Sequence, residues 1–263
     1  MFITVEDLWK SYGACQILKG LTLQVAEGET VVILGQSGVG KSVLLRQIIG
    51  IERPDKGRVV VNGNPISELS GNDLFRATRN MGMLFQGAAL FDSMTVGENI
   101  GFYLEQHGCP ESGKRLKRVD IKSRVHDALK VVGLEGIEDK MPSNLSGGMR
   151  KRAALARLIV YRPRILLYDE PTTGLDPITA HHINQLIIQT QKELNATSIV
   201  VTHDIRSALE IADRLALHQN GVLTVVDKKE TFFNSDNPLI KSFLDNVTLM
   251  GLSKRKKQVS KTR

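Results

Sequence analysis

Gly35-Gln36-Ser37-Gly38-Val39-Gly40-Lys41-Ser42 follows the apolar run Thr30-Val31-Val32-Ile33-Leu34 and precedes Leu44, Leu45, Ile48 and Ile49 at helical spacing. The octapeptide fits the phosphate-loop pattern G-x-x-x-x-G-K-[ST], and each fixed residue type has a physical task. Glycines let backbone N–H groups turn inward around phosphate oxygens, and the following helix offers its positive end. Lys41 can reach outer phosphates, and the Ser42 hydroxyl can bind magnesium. A strand before the loop and an amphipathic helix after it are what the pattern requires, so the reading is a parallel α/β fold.

Two further solidly apolar segments, 164–168 and 198–202, read as parallel strands buried on both faces. Ile183, Leu186, Ile187 and Leu194 recur at helical spacing before the second of them. The first ends in Asp169-Glu170 and the second in His203-Asp204. Carboxylates at the end of a buried strand are costly unless a cation or a proton-transfer task awaits them. A divalent ion near Asp169 and a nucleophilic water near Glu170 would account for both, since catalytic groups in open parallel sheets gather at the carboxyl ends of strands. Leu145-Ser146-Gly147-Gly148-Met149 precedes Arg150-Lys151-Arg152 and an apolar helix. Ser146 can cap that helix, and Gly147 and Gly148 then expose N–H groups as a second anion site.

Upstream of Gly28, Leu21, Leu23 and Val25 alternate with Thr22 and Gln24, the pattern of a half-exposed antiparallel strand. Val59-Val60-Val61 followed by Asn62-Gly63 gives another strand with its turn signal. Between about 87 and 161 helix-like segments replace strand signals, so a helical subdomain is expected to interrupt the core. The expected architecture is a βα-alternating core with an N-terminal antiparallel β subdomain and an inserted α-helical subdomain, over 1–246, followed by a basic tail at 247–263.

The net charge is +7 over 263 residues, with 41% hydrophobic and 24% charged residues. Segment 114–124 carries +5 and the tail +6, leaving the rest at −4. Aromatics make up 5% of the chain and are absent from both basic clusters, which argues against nucleic-acid binding through stacked bases. Segment 114–124 reads as a solvated helical face whose charge also suits anionic lipid headgroups. The tail reads as a mobile solubilising end, its last dozen residues disordered. Cys15 and Cys109 show no metal or redox spacing. No apolar run is long enough to span a bilayer, and the first residues lack the layout of a secretory signal.

Taken together these motifs resemble the ATP-binding-cassette (ABC) ATPases of transporters, over nearly the whole chain. Gly35 to Ser42 matches the Walker A loop, Leu145 to Met149 the family signature, Ile165 to Glu170 Walker B, and Gly174-Leu175-Asp176 the following D-loop. Gln86 matches the Q-loop glutamine, His203 the switch histidine and Tyr12 the aromatic that stacks on adenine. The resemblance implies ATP as substrate with Mg2+ as cofactor. It implies that Glu170 polarises the attacking water, that Lys41 and His203 contact the outer phosphates, and that Ser42, Gln86 and Asp169 organise magnesium. It further implies a head-to-tail pair of chains, each ATP lying between Gly35, Gln36, Ser37, Gly38, Val39, Gly40, Lys41 and Ser42 of one copy and Ser146, Gly147 and Gly148 of the other.

One departure narrows the resemblance. The common signature ends in glutamine, whereas Met149 offers no comparable hydrogen bond. Leu145 to Arg152, with the stretch 83–96, is similar to the ATPase of Mla/Mce-type lipid transporters. That subfamily implies lipid cargo, two transmembrane permease subunits, an Mce-domain lipid-binding partner, and a cytoplasmic position against the inner (plasma) membrane. The alternatives are the same machine with a small polar solute or ion as cargo, and, more distantly, a non-transport cassette ATPase.

Overall fold

The computed structural model describes residues 1–109 and 113–243. β1 (Ile3–Tyr12) and β2 (Cys15–Val25) form an antiparallel hairpin, and β3 (Thr30–Leu34) runs straight into α1 (Lys41–Ile48). β4 (Lys56–Val61) and β5 (Asn64–Pro65) follow, then α2 (Gly71–Thr78) and β6 (Met81–Leu84). Three helices come next without an intervening strand among the described residues: α3 (Val96–His107), α4 (Arg118–Val131) and α5 (Gly147–Ile159). The chain closes with β7 (Ile165–Asp169), α6 (Pro177–Leu194), β8 (Thr197–Thr202), α7 (Ile205–Ile211), β9 (Arg214–Gln219), β10 (Val222–Lys228) and α8 (Lys229–Phe233). The tail at 247–263 lies outside the described residues.

Two sheets result. One is antiparallel in the order β2-β1-β4-β5, and the other is six-stranded in the order β10-β9-β3-β8-β7-β6. In the second, β9, β3, β8, β7 and β6 are mutually parallel and β10 is antiparallel at the edge. Pleat alternation divides the core. Val31, Ile33, Leu167, Ile199 and Val201 face α1 and the antiparallel sheet, while Val32, Leu34, Leu166, Tyr168 and Val200 face the helical side with α3, α4, α5 and α6. α1 is thus enclosed between two sheets, which fixes the loop that feeds it.

The sequence reading found β3, β7 and β8 to within a residue or so, caught only the last five residues of β2 and the last three of β4, and did not find β1, β5, β6, β9 or β10. In β1 the period-two signal is broken: Ile3, Val5 and Leu8 are buried, with a register shift between Val5 and Leu8 and Asp7 at φ 47°. β6 has only four residues, including Gly82, where an added Cβ would lie 2.1 Å from Leu158 Cδ1 of α5. The glycine permits the close approach of that helix and conceals the strand. The basic segment also differs from a continuous helical face. α4 begins only at Arg118, so Lys114, Arg115 and Lys117 precede the helix, all three exposed.

Candidate functional site

The carboxyl ends of β3, β6, β7 and β8 carry the 35–42 loop, Gln86, Asp169-Glu170 and His203 respectively. Gly40 is the N-cap of α1 at φ 105°, ψ 9°, a conformation open to glycine, and an added Cβ would meet Ile17 Cγ2 at 2.5 Å. Gly38 is also at positive φ, 84°, but in open space, so there the requirement is one of backbone conformation alone. The two positive-φ glycines let the loop turn tightly into the start of α1, the helix end that favours an anion.

Lys41 is 5% exposed, and its ammonium donates to Gly35 O and Gln36 O, both at 2.8 Å, while lying 3.2 Å from Glu170 Oε1. Ser42 Oγ donates to Asp169 Oδ1 at 2.8 Å. Glu170 Oε2 accepts from Thr173 Oγ1 at 3.0 Å and lies 2.8 Å from His203 Nδ1. Two segments distant in sequence, Lys41-Ser42 and His203, thus converge on two adjacent carboxylates. Burial holds the Asp169 carboxyl above its ordinary range, and the Ser42 hydrogen bond opposes that shift. A Ser hydroxyl beside an Asp carboxylate, both hard oxygens, is a donor set that fits magnesium.

Glu170 also carries backbone strain. It sits at φ 49°, unusual for a residue with a Cβ. Its N–H donates to Val201 O at 2.9 Å, and its carbonyl accepts from Thr173 N at 3.2 Å and Lys151 Nζ at 3.3 Å. Gln86 is exposed, with its carbonyl accepting from the same Lys151 Nζ at 2.5 Å. The loop after it is tied down at several points. Buried Asn99 donates to Phe91 O, Met94 O and Thr95 O and accepts from Phe91 N, while Arg157 donates to Ala89 O and lies over the Phe91 ring.

Tyr12 ends β1 with its ring 45% exposed, and its hydroxyl donates to Glu52, which pairs with Arg46 of α1 at 2.8 Å. The ring is therefore anchored to the helix that leaves the phosphate loop. Ser146 is the N-cap of α5 and accepts from Met149 N at 3.3 Å. Ser146 and Gly147 are exposed, and the hydrogen bonds of Ser146 stay within α5. The structure gathers Lys41, Ser42, Asp169, Glu170 and His203, and leaves the Ser146 end facing outward.

Sequence reasoning assigned no task to Lys151, Thr173 or Asn99. Lys151 left a legible signal: it shares a buried stripe with Ala154, Leu155 and Leu158 at spacings of three, four and seven. A cation in an apolar stripe needs partners.

A parallel sheet with a phosphate loop at a strand end and paired carboxylates on a neighbouring strand defines a P-loop ATPase. The family description "ABC transporter" matches residues 18–173. A probable ribonucleotide transport ATP-binding protein of Mycobacterium leprae is 38% identical over 97% of this chain and 72% of its own length. A methionine import ATP-binding protein of Geobacillus kaustophilus is 39% identical over 93% of this chain and 71% of its own. A solved dimeric, post-hydrolysis ATP-binding cassette with ADP and Pi superimposes with a TM-score of 0.79 at 30% identity, covering 86% of this chain and 98% of that one. The chain belongs to the ATP-binding subunits of ABC transporters. It is an ATP hydrolase coupled to transport, with ATP as substrate and Mg2+ as cofactor.

Proposed function

We propose that this chain energises lipid transport as one of two head-to-tail copies beneath a pair of transmembrane permeases. One observation carries the dimer. Lys41, Ser42, Asp169, Glu170 and His203 are interlocked within the chain, whereas the capped start of α5, with Ser146 and Gly147, is exposed and, among the described residues, Ser146 bonds only within its own helix. An anion site turned outward suits the phosphate of a neighbouring copy, and the solved cassette relative is itself dimeric.

In this reading the N–H groups of Gly35, Gln36, Ser37, Gly38, Val39 and Gly40 cradle the phosphates, Lys41 neutralises the outer ones, and Tyr12 stacks on adenine. Ser42, Asp169 and Gln86 would hold magnesium, which supplies charge neutralisation at the outer phosphates when bound. Glu170 orients and polarises the attacking water, and His203, beside it, contacts the γ-phosphate. Ser146, Gly147 and Gly148 close over the ATP of the other copy. Positioning and charge stabilisation then account for the chemistry. Segment 87–161 serves as the helical subdomain and 1–246 as the ATPase unit.

Lipid cargo rests on the likeness of Leu145 to Arg152 and of 83–96 to Mla/Mce-type ATPases, with Met149 in place of glutamine. An Mce-domain protein is then a partner. The chain sits on the cytoplasmic face of the inner membrane, where exposed Lys114, Arg115, Lys117, Arg118 and Lys122 suit anionic headgroups. Among the described residues no helix is long and apolar enough to cross a membrane. A small polar solute is the second reading, favoured by relatives named for methionine and sulfate/thiosulfate import. Purifying the chain with its membrane partners separates the two: an Mce-domain protein supports lipid, and a small-solute receptor overturns it.

Catalysis is tested with Glu170→Gln. Phosphate release should fall by about 100-fold or more while ATP binding persists and ATP-bound dimers accumulate on size exclusion. Undiminished turnover removes Glu170 from its role. Wild-type activity per molecule should fall on dilution, and a constant value contradicts the shared site.

A further inference from the structure

We propose that Lys151 is a positioning residue for hydrolysis, a cross-tie between the Gln86 loop and the backbone of Glu170 that keeps the two in register. The inference rests on the catalytic reading of Glu170 and Gln86 above. Lys151 lies one turn into α5, 6% exposed, and its single ammonium spans Gln86 O at 2.5 Å and Glu170 O at 3.3 Å. These carbonyls end adjacent parallel strands, since β6 and β7 are paired from Met81 with Ile165 to Leu84 with Tyr168. Beyond Leu84 and Asp169 the ladder no longer fixes one strand against the other. Lys151 supplies a link there, from a third element.

Two features give the link consequences for chemistry. Glu170 occupies a left-handed conformation that persists only where surrounding bonds over-determine it, and Lys151 holds one end of that peptide. The carbonyl of Glu170 is covalently close to the carboxylate that Lys41, Thr173 and His203 hold on its other side. Without Lys151 the carbonyl keeps only its local bond from Thr173 N, which loosens the aim of the carboxylate without touching the phosphate loop. A buried ammonium also offsets the charge of two neighbouring carboxylates. Burial pushes the Lys151 ammonium below its ordinary range, and Asp169 and Glu170 pull it back up.

The helix that carries Lys151 begins at Ser146, Gly147 and Gly148. The end of α5 that would close over one ATP is thus five residues from the cation that sets the water-polarising glutamate of the other. Lys151 gives a chain that senses its partner's nucleotide through α5 a short, hydrogen-bonded route to its own Glu170.

The test is Lys151→Met against Lys151→Arg in the full-length chain, reading phosphate-release kcat, KM for ATP and equilibrium binding of a fluorescent ATP analogue. Misplacement of a catalytic group by about 1 Å can cost about 100-fold. Lys151→Met should therefore lower kcat by about 10- to 100-fold, with KM and analogue affinity within about threefold. Arginine should restore most of kcat, because it returns both the charge and the donors. An unchanged kcat in Lys151→Met overturns the assignment, as does a kcat loss matched by an equal loss of analogue affinity. If the methionine variant does not fold, Lys151→Gln is read by the same criteria. Glu170→Gln run in parallel separates two failures. Undiminished turnover in Glu170→Gln sinks the catalytic reading itself, whereas an inactive Glu170→Gln beside a fully active Lys151→Met sinks only the cross-tie.

Discussion

The two anion-binding ends of this molecule are built on opposite principles. The 35–42 loop feeds α1, which is enclosed between two sheets, and its lysine, serine and facing carboxylates bond to one another with Lys41, Asp169 and Glu170 all under a tenth exposed. The start of α5 has the same chemistry of glycines and free N–H groups, yet Ser146 and Gly147 face solvent. An internally satisfied site can bind its ligand alone, at the expense of a strained backbone at Glu170. An outward-facing helix start can act only on something brought to it. That contrast is what a site divided between two copies requires.

Paired glycine substitutions break the comparison most directly. Gly40→Ala forces a Cβ into φ 105° and against Ile17 Cγ2 at 2.5 Å, an expected destabilisation of about 2–4 kcal/mol with ATP binding lost. Gly147→Ala meets nothing within 4 Å and lies at the first helical position of α5, so the melting temperature should hold or rise slightly. ATP binding to the dilute chain should also be unchanged, while turnover falls by about 10-fold or more because the added methyl crowds the partner's phosphate. Calorimetry, nucleotide titration and phosphate release on the two variants make the check. Full turnover in Gly147→Ala would mean that α5 does not complete a site.

The first half was far more legible in the sequence than the second. Gly35 to Ser42, Asp169-Glu170 and His203 sit at the ends of three apolar runs, so placement and chemistry could be read together. Their convergence depends on strand order, which periodicity does not reveal, because β9 and β6 were not visible as strands. In Ser146-Gly147-Gly148 the cap was legible, but whether it faced inward or outward was not, since this depends on how α5 packs beneath α6. The distant partners of Glu170, namely Lys151 of α5 and Val201 O and His203 at the end of β8, come from two elements, and no local pattern joins them.

A pH titration sharpens the contrast at intermediate size. His218 on β9 backs the phosphate loop: its carbonyl is what an added Cβ at Gly35 would strike, at 2.7 Å. Among the described residues neither ring nitrogen has a hydrogen-bond partner, and the residue is 1% exposed. Burial, aided by the Lys41 charge, depresses its pKa from 6.5 to about 4. The unfolded chain therefore binds a proton that the folded chain refuses, so this contribution is complete above pH 6.5 and lost as pH falls towards 4. The loss should approach about 3 kcal/mol. His218→Leu should flatten the dependence of unfolding free energy on pH in that window, whereas Gly147→Ala should leave it unchanged. An equal slope in His218→Leu would assign the acid sensitivity elsewhere.

The smallest effect, at Ser146, discriminates most finely, because one hydroxyl has two candidate tasks. As an N-cap it accepts from Met149 N, and Ser146→Ala should cost about 1 kcal/mol, or about 2–4 °C in melting temperature. Ser146→Asp keeps a capping oxygen and places a negative charge at the positive end of α5, so the melting temperature should return to that of the parent chain. If Ser146 only caps, turnover returns with it. If Ser146 faces the phosphate of a second copy, the carboxylate repels that phosphate, and turnover in Ser146→Asp falls below that of Ser146→Ala although the fold is as stable as the parent. Stability and activity moving in opposite directions at one residue would mark the exposed end of α5 as half of a site, and their moving together would leave it a helix cap.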